Sequence, residues 1–120
     1  MNKSRAFLKF VSSLSPAELR FTEHFAHRSA VRGISETMIH DFVFNRSQDL
    51  LYVDEETSPK GLKRFKAVYS LGKKKAVFVV ADVEANGSLT IVTSIIVDKR
   101  LQLAAIKNAR RYAKLADRLR

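Results

Sequence analysis

The strongest constraint on the fold is a change of hydrophobic period near residue 45. Before it, apolar residues recur at helical spacing. After it, "LLYV", "RFKAVYSL", "KAVFVVADV" and "LTIVTSIIV" are short, β-branched and aromatic, as strands are. The separators "LGKKK" and "EANGS" have the composition of hairpin turns, Asn86-Gly87 being the stronger signal. These segments predict an antiparallel meander. From Asp98 onward the sequence is again rich in Ala, Leu, Lys and Arg, with Asp98 placed to cap a helix. The expected fold is α+β: N-terminal helices, an antiparallel β-sheet meander of about four strands, and a C-terminal basic helix.

Local signals divide the first half. Ser4 to about Leu14 predicts a short helix with Phe7, Phe10, Val11 and Leu14 on one side. "SPAE" offers Ser15 as N-cap, Pro16 at the first helical position and Glu18 at the capping-box position. A competing reading makes "ELRFT" extended and lets Thr22 cap a helix starting near Glu23. Both make residues 23–32 helical. Gly33 suits the left-handed residue that ends a helix. Ser35 then caps the next one, running to about Phe44, with Ile34 able to staple onto Ile39.

At 120 residues the chain is expected to be one domain: an extension over 1–22, a core over 23–97 and the basic helix over 98–120. A hydrophobic content of 46% with 28% charged residues is that of a globular chain. The absence of cysteine excludes disulfides, thiolate zinc sites and cysteine nucleophiles, and fits a reducing compartment. The amino end, "MNKSRAFLKFVSSLS", starts basic, but Lys9 interrupts its apolar run, which is too short and polar for a signal peptide or membrane span. A cytoplasmic protein with no membrane contact is expected.

The net charge of +10 is unevenly placed. Residues 99–120 hold eight basic residues against one acid, Asp117, and Lys107, Arg110, Arg111, Lys114 and Arg118 recur at helical spacing as one stripe. Ala105, Ala109, Tyr112, Ala113, Ala116 and Leu119 make its apolar counterpart. A second cluster, Lys60, Lys63, Arg64, Lys66 and Lys73 to Lys75, follows the acidic run "VDEE". A polyanionic partner is implied, nucleic acid ahead of membrane, because the basic segments lack an aromatic or leucine-rich insertion face. The stripe is expected to grip nucleic acid through its phosphates.

The stretch "HFAHRSAVRGIS" carries the sharpest chemistry. On a helix His24, Arg28 and Arg32 form a slightly drifting row with His27 beside Arg28, while Ala26 and Ala30 lie opposite and are expected to face the sheet. A solvated polar helix face has the same spacing. A guanidinium, however, holds phosphate oxygens in a bidentate fork, and histidine is the side chain poised to move a proton near neutral pH. Two guanidiniums beside an imidazole suit metal-independent phosphodiester cleavage. In RNA the 2′-hydroxyl attacks the adjacent phosphorus, arginines stabilise the charge that builds up, and His24 acts as general base or acid.

The spacing His24-x3-Arg28-x3-Arg32-Gly33-Ile34-Ser35, followed by a helix and strands closing on "IVTSI", resembles a widespread, largely uncharacterised bacterial and mobile-element family. That family is placed with the toxin-type ribonucleases of the barnase, EndoU, colicin and RelE superfamily. The resemblance covers roughly residues 20–97. It implies a helical His and Arg row facing a curved antiparallel sheet, with an RNA cleft between them. Residue by residue it points to His24, Arg28, Arg32 and Thr93, and less directly to Tyr69, where members often carry an aromatic residue or arginine. His27, His40 and the long basic helix depart from the pattern. A toxin of this type is normally paired with an acidic neutralising partner, an antitoxin or immunity protein.

Other chemistries find less support. His24 and His27 lack a neighbouring carboxylate in a recognised metal array, and His40 belongs to the next helix, so no metal or other cofactor is expected. No phosphate-binding loop, dinucleotide turn or nucleophile elbow occurs among four glycines. The acids of "VDEE" and "DVEAN" suit turns or edge-strand solubilisers, and Phe65, Tyr69 and Phe78 suit core packing, although strand aromatics can also stack on bases. The first expectation is a metal-independent endoribonuclease. The alternative is a non-catalytic nucleic-acid-binding or regulatory protein of a phage or mobile element. A structural adaptor for an acidic protein is a third.

Overall fold

The computed structural model of the chain describes residues 3–107. Helix α1 (Lys3–Ser12) leads through a single 3-10 turn (Pro16–Glu18) into strand β1 (Leu19–Phe21), then helices α2 (Glu23–Arg32) and α3 (Glu36–Asn45). A second 3-10 turn (Ser47–Asp49) precedes strands β2 (Leu50–Thr57), β3 (Lys63–Leu71), β4 (Lys75–Val83) and β5 (Leu89–Asp98). Residues 99–107 form helix α4.

The helix ends follow local chemistry. "SPAE" makes only one turn, in which the Glu18 carboxylate accepts from the Ser15 amide at 2.8 Å. The chain then extends as "LRF", and Thr22 caps α2, its side chain accepting from the Phe25 amide at 3.1 Å. Gly33 ends α2 at φ 68°, a conformation a Cβ disfavours. Ser35 caps α3 through the Met38 amide, and Asp98 caps α4 through the Leu101 amide at 3.0 Å.

The fold is α+β, with a correction to the sheet. It has five strands in the order β1-β5-β4-β3-β2 and is mixed: β2 to β5 form the expected antiparallel meander, but β1 adds in parallel to β5, Leu19 opposite Leu89 and Phe21 opposite Ile91. Three residues are too few to show a strand period, and their partner lies about seventy residues away. Strand β2 also continues beyond "LLYV" through the acids to Thr57. Its acids are edge-strand residues paired across to β3, with Lys63–Glu55 at 3.3 Å and Lys66–Glu56 at 3.1 Å.

One sheet face carries the main core. Phe7 and Val11 of α1, Phe25 of α2, and Ile39, Phe42 and Val43 of α3 pack with Phe65, Ala67, Tyr69, Val77, Val79 and Ala81. The opposite face is partly buried too: Val68, Ala76 and Val80 are buried, and Gln102 and Ile106 of α4 line a cavity there with Tyr52, Val68 and Phe78. Of the expected apolar side of α4 only Ala105 falls among the described residues; it lines that cavity with Gln102 and Ile106 but is itself exposed, while Ala109, Tyr112, Ala113, Ala116 and Leu119 lie outside them. Of the basic stripe only Lys107, which is exposed, falls among the described residues; Arg110, Arg111, Lys114 and Arg118 lie outside them. Among the described residues no helix is long and apolar enough to cross a membrane.

Candidate functional site

Helix α2 packs on β5 through a side that begins with Phe25, which is 2% exposed. Ser29 and Arg32, four and seven residues on, share that side and are half-buried. The row His24, Arg28, Arg32 advances about 40° around the axis at each step. His24 and Arg28 therefore stand exposed, while Arg32 turns in toward the strand. Ala26 and Ala30 are exposed rather than seated on the sheet, because the large Phe25 ring sets the contact.

Arg32 meets β5 at a bulge. Val80 pairs with Thr93 but Ala81 with Ile91, leaving Val92 as the extra residue on β5. Strict alternation puts Thr93 on the core side with Ile91. The bulge instead turns Thr93 to the opposite face, beside Val80, and brings Ser94 to the core side opposite Val79. Arg32 Nη1 donates to Thr93 Oγ1 at 2.9 Å and to the Ser94 carbonyl at 3.1 Å. Its Nε and Nη2 edge, the edge that forks onto a phosphate, has no partner among the described residues. The start of α2 is fastened to the same bulge, since the Thr22 hydroxyl donates to the Val92 carbonyl at 3.0 Å.

The structure thus brings together Arg32 and Thr93, sixty-one residues apart in sequence, with Arg28 and His24 next on the row. Among the described residues no carboxylate lies within ion-pair distance of Arg28 or Arg32. Tyr69 does not join them. It is 1% exposed, its ring stands 5.1 Å from that of Phe42 on the core face, and β4 separates its strand from β5. Burial pushes its phenol above the usual range, so it has no access to a substrate and stays protonated. His27 is exposed, and His40 lies between the Phe21 and Phe44 rings at 5.7 and 5.8 Å, a packing role. Among the described residues no group of three or more His, Cys, Asp and Glu is placed to hold a metal.

Three members of the second basic cluster, Lys63, Arg64 and Lys66, are neutralised inside the sheet. Arg64 makes a bidentate pair with Asp82, at 2.6 and 3.0 Å, with side chains only 19% and 9% exposed. Lys63 and Lys66 face the β2 acids. Phe65 is core, as its strand position implies, and Phe78 is half-buried beside α4. Sequence reasoning missed a different grouping: Lys74, Asp98 and Arg100 line one cleft of about 340 Å³. The turn "LGKKK" gave half the signal, and the other half needed the register that sets Lys75 opposite Asp98.

No protein-family model, no curated protein and no solved structure matches the chain.

Proposed function

We propose that the surface formed by α2 and the bulged part of β5 engages the phosphate backbone of RNA and cleaves it without metal, by attack of the 2′-hydroxyl on the adjacent phosphorus. One observation carries this reading: Arg32 is held by one nitrogen against Thr93 and Ser94, so that its other edge is oriented yet without a partner among the described residues. An anchored guanidinium stabilises developing phosphate charge with little reorganisation. Arg28 supplies a second cation one turn away, and His24, exposed at the start of the row, serves as general base or acid. The partners are RNA and an acidic protein that neutralises the surface, and the site of action is the cytoplasm.

A second reading, phosphate binding without cleavage, is favoured by His24 itself. Among the described residues no side chain orients its ring, whereas catalytic imidazoles are normally held by a third group. The two readings part in one experiment. In chelator, wild-type protein should cut RNA but not DNA and leave a 2′,3′-cyclic phosphate or its hydrolysis product. His24→Ala should lower the rate by about a hundredfold to ten-thousandfold with binding largely kept. Arg28→Ala should weaken both cleavage and binding. Binding with no cleavage by wild-type protein over several RNA substrates establishes the second reading; cleavage unchanged in His24→Ala removes His24 from the mechanism.

A further inference from the structure

Outside α2, five cations of the described residues are engaged in ion pairs. Lys63, Arg64 and Lys66 pair with acids within the sheet, and Lys3 and Arg46 pair with Asp54 and Asp49. The β3–β4 hairpin and the start of α4 bring several unpaired cations together. Lys73, Lys74 and Arg100 are exposed, with no ion pair among the described residues. The hairpin that carries the two lysines is braced against the start of α4, which carries Arg100: the Lys99 amide donates to the Lys74 carbonyl at 2.9 Å. Lys99 Nζ donates to Ser70 Oγ at 2.9 Å and to the Gly72 carbonyl at 3.4 Å. Lys74 and Arg100 line one cleft with Asp98, whose carboxylate accepts from the Leu101 amide.

This cluster stands at the end of the strand that anchors Arg32. From Ser94, which Arg32 touches, to Asp98 is four strand residues, about 13 Å. We propose that the hairpin and the first turn of α4 form a second phosphate-contacting station, so that one RNA strand runs along the free end of β5 from Arg28 and Arg32 to Lys73, Lys74 and Arg100. The inference rests on the reading of α2 as an RNA surface. The braced hairpin matters because ammonium groups on a fixed turn lose less freedom on binding than those on a loose one. The α2 row and the hairpin hold no Asn or Gln, and Gln102 in the first turn of α4 is half-buried in the cavity beside Tyr52 and Phe78, so the track follows the backbone and tolerates sequence.

The test compares two lengths of 2′-O-methyl RNA, which cannot be cleaved by this route: about three nucleotides, which reaches one station, and about twelve, which reaches both. In Lys73→Ala/Lys74→Ala/Arg100→Ala, affinity for the long oligonucleotide should fall at least tenfold, and its salt dependence should flatten by about two units of log–log slope. Affinity for the short one should not change. Arg28→Ala should weaken both lengths. A triple variant that binds the long oligonucleotide like wild type, or loses both lengths equally, overturns the second station. An Arg28→Ala variant that binds both lengths normally overturns the α2 reading on which it rests.

Discussion

Arg28 and Arg32 are the same residue type one helical turn apart, yet one is free in solvent and the other is bonded to a strand. Their spacing was legible in the sequence. Which one turns inward was not, because that depends on where Phe25 seats, and a ten-residue helix rolls by tens of degrees on a change of one anchor. Thr93 was legible only by resemblance, since a period-two reading sends it to the core and the Val92 bulge reverses it. The same reversal buries Ser94, 3% exposed, with a hydroxyl that has no hydrogen-bond partner among the described residues. An unpaired buried hydroxyl carries a desolvation cost without return. Ser94→Ala should therefore be neutral or stabilising by up to about 1 kcal/mol in urea unfolding, with the carbonyl that Arg32 uses retained. A loss above about 1 kcal/mol would show that the hydroxyl is satisfied after all.

Elements whose limits are set locally were readable: Thr22, Gly33, Ser35 and Asp98 mark helix ends by their own chemistry. Elements defined by distant partners were not. The acidic half of β2 resembles a turn until Lys63 and Lys66 stand opposite, and β1 is a strand only because β5 is there. Thr22 connects the two kinds, capping α2 with its oxygen and holding β5 with its proton. Thr22→Val keeps the shape and removes both bonds, so it should cost about 1–2 kcal/mol. Because it loosens α2 against the bulge, it should also lower RNA affinity if the surface acts as proposed, unlike Ser94→Ala. Equilibrium unfolding with a binding titration checks both; an unchanged stability would mean that α2 is held by Phe25 alone.

At the scale of the molecule, Asp54, Glu55, Glu56 and Asp82 of the sheet are matched to cations of α1 and β3, and much of the surplus is left on α2, the β3–β4 hairpin and α4. Composition foretold the surplus; only the register showed which lysines remain in it. The parallel β1–β5 pair has a further consequence, for the order in which the molecule comes into being. The Thr22 amide bonds to the Ile91 carbonyl, so the start of α2 is fixed by a residue about seventy positions later. Closing so long a span is slow compared with forming a hairpin. During synthesis, at about 5–20 residues per second, roughly 4–14 s separate the two. Hydrogen exchange on stalled nascent chains should find the Thr22 amide unprotected until β5 has emerged, and protection earlier than that would refute the dependence. The α2 row is among the first segments made and among the last to be set in place, so a half-synthesised chain carries its arginines without the bench on which they are mounted.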